Sequence, residues 1–173
     1  MLLPRYVVIR ALLLFASLLP LPSLAEITTL MIPDQGWGVT FDAPPLRPVR
    51  EANSSHHYMY SANVRNFAVS LYVDTPICHG GEAHEDVMNC FWPNASKDPL
   101  INQASVQKSC NARYCTISYD FENTFQATSI RQKHLLFLFA THGRWANLHV
   151  SVSNPTAHDL ALLETFRQSF SYQ

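Results

Sequence analysis

From Phe67 to Val73 the chain alternates without a break: Phe67, Val69, Leu71 and Val73 fall on one face, and Ala68, Ser70 and Tyr72 on the other. A period of two is the mark of a strand with one face buried. Tyr58 to Ala62 reads as its hairpin partner, joined around Asn63 to Asn66, and Trp37-Gly38-Val39-Thr40-Phe41 as an earlier strand. Pro44, Pro45 and Pro48 end that strand, because proline removes ladder donors and pushes its predecessor out of the helical region. Residues 26–36 read as an irregular lead-in, and Asn53-Ser54-Ser55 as a polar turn. Strand patterns resume at Ala104 to Lys108 and Tyr114 to Phe121. Gln126 to Thr141 gives the longest strand, and its Leu135-Leu136-Phe137-Leu138-Phe139-Ala140 stretch is apolar on both faces, which predicts cover from both sides. After a turn at His142-Gly143-Arg144, Trp145 to Val152 alternates again, with Ala146, Leu148, Val150 and Val152 on one side. Trp145, Asn147, His149 and Ser151 take the other side.

Two segments carry the longer period of a helix. Within the irregular stretch Pro76 to Pro99, Glu82 to Trp92 predicts a short helix bearing Val87, Met88, Phe91 and Trp92. At the C-terminus, Asn154 is read as the cap, Pro155 as the first helical residue, and Leu160, Leu163, Phe166 and Phe170 as the apolar stripe. The order is strands, an irregular segment, more strands, then a helix. It predicts an α+β fold: an antiparallel sheet flanked by helices, with the C-terminal helix packed on the sheet. No repeat, low-complexity tract or charge run divides residues 26–173, so they are read as one domain.

Residues 1–25 need a different account. Arg5 and Arg10 precede an apolar run, Ala11 to Leu21, and Ser23-Leu24-Ala25 puts small residues where a signal peptidase reads them. Pro20 and Pro22 interrupt the run short of the roughly 20 apolar residues that a spanning helix needs. The segment reads as a cleaved export signal ending before Glu26, and the mature chain carries no membrane span. The remaining 148 residues, enough for one domain, hold ten basic and thirteen acidic side chains with only Lys97, Lys108 and Lys133 as lysines. A net charge of −3 gives no basic field for nucleic acid. The four cysteines, Cys78, Cys90, Cys110 and Cys115, fit the periplasmic or secreted destination as two disulfides. Of three possible connectivities, proximity favours Cys78–Cys90 with Cys110–Cys115, the latter across a tight polar turn.

Trp37-Gly38-Val39-Thr40-Phe41-Asp42-Ala43-Pro44-Pro45 resembles the opening of the PsbP-like superfamily, an aromatic residue, a short strand and a proline-rich exit. The closing order is similar too: a long hairpin to Trp145 and His149-Val150-Ser151, then Asn154-Pro155 and a helix. That group takes in the extrinsic photosystem protein PsbP, the Ran-binding Mog protein and bacterial DcrB-type domains. The resemblance implies an antiparallel sheet between helical layers, an α/β/α sandwich, and a binding or assembly role without shared catalytic residues. The four cysteines and the histidine- and acid-rich middle depart from it.

The densest polar cluster, Cys78-His79-Gly80-Gly81-Glu82-Ala83-His84-Glu85-Asp86, offers His79, Glu82, His84 and Asp86 as ligands for zinc or copper. The competing reading is a solvated loop leading into a helix whose acids sit at its positive end. His149 with Asn147 and Ser151 could form a base–hydroxyl pair, yet no carboxylate is fixed nearby to orient it, and no nucleophile-elbow or zinc-protease motif occurs. The pattern therefore favours a non-enzymatic, exported protein-binding module without a resident cofactor. It would present Ala43 to His57 and Pro76 to Pro99, with His56, His57 and Trp92 among the contact residues. An immunity-type inhibitor of a toxin enzyme and a divalent-metal carrier are the alternatives, and a hydrolase using His149 stands behind them. Intact-mass analysis of the exported protein should give a chain starting at Glu26 and four hydrogens lighter than its all-thiol form. A full complement of free thiols overturns the cysteine reading.

Overall fold

A computed structural model of the protein describes residues 25–78 and 81–173; the expected export signal and His79 lie outside the described residues. Ten strands and two helices follow one another along these residues. Strands β1 (Glu26–Met31), β2 (Gly38–Ala43), β3 (Arg47–Asn53), β4 (His57–Val64) and β5 (Phe67–Asp74) precede helix α1 (His84–Ala95). Then come β6 (Ile101–Cys110), β7 (Cys115–Phe125), β8 (Thr128–Thr141), β9 (Arg144–Ser153), helix α2 (Ala157–Ser169) and β10 (Ser171–Tyr172). A seven-stranded sheet runs β3-β4-β5-β9-β8-β7-β6 with antiparallel pairing throughout, and a second sheet of three strands runs β1-β2-β10.

The fold is α+β, as the pattern predicts, with the C-terminal helix on the sheet. One of the two covering layers is more than a helix, however. Val39 and Phe41 of the small sheet, with Trp37 just before it, pack with Leu162, Leu163 and Phe166 of α2 against Phe67, Leu71, Phe137, Leu148 and Val150 of the large one. The alternation in β5 and β9 puts the expected residues on this side, and Phe166 is stacked on Phe41 at 4.4 Å between ring centroids. The other face of β8, with Leu136, Leu138 and Ala140, packs with Ile117 and with Val87 and Trp92 of α1. Every side chain from His134 to Ala140 is buried, which accounts for the unbroken apolar run.

The structure corrects the sequence reading in several places. Residues 26–36 are not wholly irregular, because β1 pairs with β2 along its whole length and leaves Ile27 and Met31 exposed at an edge. Gly38 is needed there: a Cβ would come within 2.6 Å of the Leu30 carbonyl oxygen. Ala43 to His57 is not a loop but contains β3, an edge strand whose ladder shifts register between Pro48 and Arg50, where proline is tolerated. Strand β8 begins only at Thr128, since Gln126 and Ala127 form the turn with φ of 47° and 63°.

The C-terminal helix starts two residues later than its proline suggests. Thr156 is the cap, in a reciprocal box with Asp159. Asn154, with φ of 46°, makes the turn instead, and its side-chain oxygen accepts from the Arg131 N–H at 2.9 Å. Leu160 is 44% exposed, and Leu162 takes its place on the buried stripe. Truncating Phe166 to Ala should therefore cost about 3–5 kcal/mol in urea unfolding, whereas Leu160→Ala should cost less than about 0.5 kcal/mol. Equal losses would mean that the helix packs through the other face.

Candidate functional site

Helix α1 is amphipathic and short, and its buried side lies over β8 and β7. A helix is about 10 Å across and strands are about 4.8 Å apart, so one helix roofs roughly two strands of this sheet. On that face, β9 and β5 are left at its flank. A cavity of about 500 Å3 opens between them. Val87, Phe91 and Ala95 form the helical wall, Leu136, Leu138, Asn147 and His149 the floor, and Tyr72 and Ile77 flank it. Trp145 closes one end, its indole N–H donating to the Gly81 carbonyl at 3.3 Å. The side-chain oxygen of Asn147 is buried and has no hydrogen-bond partner.

Beside the cavity lies a pair of histidines. His134 Nδ1 and His149 Nε2 are 2.7 Å apart, and His134 Nε2 is 3.2 Å from Gln132 Oε1. Gln132 in turn donates its amide N–H to Ser153 Oγ at 2.9 Å. This network assigns the protons: His134 Nε2–H donates to Gln132, so its Nδ1 accepts from His149 Nε2–H. His149 Nδ1 is then an acceptor without a protein donor among the described residues. The rings stack, Tyr119 on His134 at 4.8 Å and His134 on His149 at 5.0 Å between centroids. Burial holds both imidazoles well below their ordinary value, to about 4, with Asp120 opposing the effect at His134 and the neighbouring His134 adding to it at His149.

The residues singled out from the sequence are dispersed. Both disulfides form in the local pairing, Cys78–Cys90 and Cys110–Cys115, with Cα atoms 6.0 and 4.0 Å apart. His84 does not face an open coordination site. Its Nδ1 accepts from the Ala140 N–H at 3.1 Å, and its Nε2 donates to the Ala112 carbonyl at 3.3 Å. Asp86 accepts from the Gly81 N–H at 2.8 Å, and Glu82 is exposed. Among the described residues these three do not gather their ligand atoms. The one such grouping is Glu85 with Cys110 and Cys115, whose sulfurs are bonded to each other.

His57 Nδ1 pairs with Asp74 Oδ1 at 2.6 Å at the margin of the sheet face. His56 is exposed, and its carbonyl accepts from Arg144 at 3.4 Å. Trp92 is buried against Tyr119 with Lys108 over its ring, so it belongs to packing beneath α1. The polar face of β9 was legible as a stripe. Tyr72, His134 and the orphaned state of Asn147 were not, because they depend on which strands α1 leaves uncovered.

No protein-family model matches the chain, and no curated protein sequence matches it. Two of the solved structures that align with it do so to different degrees. One, from Bacteroides thetaiotaomicron, aligns over 78% of this chain at 9% identity with a TM-score of 0.44, and the chain spans under half of its length, 45%. The other is LpqN of Mycobacterium tuberculosis, described as involved in cell envelope biogenesis. It covers 86% of this chain and 91% of its own at 7% identity, with a TM-score of 0.53. At that identity the likeness to LpqN is one of fold.

The histidine pair gives the protein a defined pH response. Between the ordinary histidine value near 6.5 and the folded value near 4, the unfolded chain binds protons that the folded one does not. Stability is therefore fully present above about pH 6.5 and is lost as pH falls toward 4. Urea unfolding across that range should show this slope, and the double variant His134→Gln with His149→Gln should flatten it. An unchanged slope would move the response to other groups.

Proposed function

We propose that this chain is an exported, non-enzymatic protein-binding module of PsbP-like type, working through the groove between α1 and the seven-stranded sheet. The observation that carries the reading is the groove itself, an apolar recess whose helical wall is tied back by Cys78–Cys90. At its mouth stand Ile77, 79% exposed, and Tyr72. Exposed apolar side chains at the edge of a recess are what a partner's surface covers on docking. The chemistry around it supports binding over catalysis. His149 is bonded to another imidazole rather than to a carboxylate that would orient it as a base.

Export is supported by the leader-like residues 1–25 and by the pairing of all four cysteines, which suits an oxidising compartment. No helix among the described residues is long and apolar enough to cross a membrane. The PsbP-like assignment draws on the opening and closing element order and on the α+β architecture. An envelope setting has support from the described role of LpqN. Quantitative pull-downs from the native envelope test the docking surface. Ile77→Asp should keep the melting temperature and lower partner recovery at least ten-fold, while Leu160→Asp on α2 should leave recovery unchanged. Equal recovery with Ile77→Asp, or a turnover activity abolished by His149→Ala, overturns the reading.

A further inference from the structure

Docking at the mouth leaves the floor of the groove unexplained. A buried acceptor without a donor is costly, and few persist in a folded protein unless water or a ligand satisfies them. Here one buried acceptor, Asn147 Oδ1, has no partner, and the proton assignment leaves Nδ1 of His149, a residue of the same lining, as an open acceptor. Around them the walls are hydrocarbon, with Val87, Phe91, Leu136 and Leu138 facing the same space. Its volume of about 500 Å3 lies within the range of small-molecule sites, roughly 300–1,000 Å3. An apolar chamber with a few convergent polar atoms is the usual build of such a site.

We propose that this floor binds a small neutral amphiphile, with its apolar body along α1 and a hydroxyl or amide N–H donating to Asn147 Oδ1 and His149 Nδ1. The charge of the head follows from the lining. It contains no lysine or arginine, so a carboxylate or phosphate head would be buried without a counter-ion. The single acid in the lining, Asp74, already accepts from His57 at 2.6 Å. A cationic head at the floor would meet only neutral acceptors and would lose its hydration. A neutral donor meets both acceptors without either cost. The inference rests on the groove being the working surface and specifies the chemistry held beneath the mouth.

Decanol, decanoate and decylammonium share one apolar body and differ in the head, so they separate these cases. Each is titrated below its aggregation threshold into the disulfide-bonded mature protein. Binding is followed by calorimetry and by the fluorescence of Trp145, which lines the cavity. Decanol should bind saturably at one site, with both ionic probes at least ten-fold weaker. Asn147→Leu should weaken decanol at least ten-fold while holding or raising the melting temperature, because it removes a buried unpaired acceptor. Ala95→Trp should fill the chamber and abolish binding. No saturable decanol binding by folded protein, the result if only water occupies the floor, overturns the proposal. So does an ionic probe that binds more tightly, or decanol affinity unchanged by Asn147→Leu. Partner recovery unchanged by Ile77→Asp, alongside saturable decanol binding to the unsubstituted protein, would sink the protein-docking reading alone.

Discussion

Strand β8 runs inside the large sheet between β9 and β7, and from His134 to Ala140 it has no solvent-facing side. A strand of this kind requires cover on both faces, and the rest of the architecture is the solution to that requirement. On one face the demand is met in full. The small sheet and α2 together close over Phe137, Phe139, Leu148 and Val150, and aromatic rings from β2, β5, β8 and α2 meet there. On the other face, among the described residues, the cover is a single twelve-residue helix. It covers β8 and β7 and stops short of β9 and β5. The groove is the geometric remainder of an unequal cover.

That inequality explains why polar residues tolerate the second face. Opposite Val150 and Leu148, β9 carries His149 and Asn147, and its neighbour β5 carries Ser70 and Tyr72. Beneath a complete roof these groups would each need a partner. Beside a partial one, the histidines bond each other in a chain that runs on through Gln132 to Ser153, and the tyrosine reaches solvent at the margin. Asn147 alone falls where the helix is close enough to exclude the bulk and too far to bond.

How far the sequence predicts this follows the same physics. Buried strands announce themselves: β4, β5, β8 and β9 alternate or run apolar, and the residues read as inward-facing are inward-facing. Edge strands do not, because β1 and β3 are held by one ladder apiece and have little apolar face to bury. The turn at Gln126-Ala127 carries no glycine or asparagine to mark it, although both residues take left-handed angles. On α2, Leu160 and Leu162 are equally apolar, and only contact with the sheet decides between them. The polar stripe of β9 was readable, but its function as a floor depends on where a helix some sixty residues earlier comes to rest.

What holds that helix is a set of side chains that the linear pattern offered for other work. His84, a metal-ligand candidate by composition, bridges the end of β8 to the β6–β7 hairpin, taking the Ala140 N–H and giving its own N–H to Ala112. Trp145 holds Gly81, and Asp86 folds back on the same residue. Cys78–Cys90 then links the segment after β5 to the middle of α1, on the wall of the groove. A single helix without a second layer behind it has little packing of its own, so these polar clamps and the covalent link set the groove's width. Reduction would release the clamp nearest the mouth, so oxidation of these cysteines holds the groove in shape. On the proposed reading, the leader-like segment and the groove are parts of one design: the first would deliver the chain to the chemistry that builds the second.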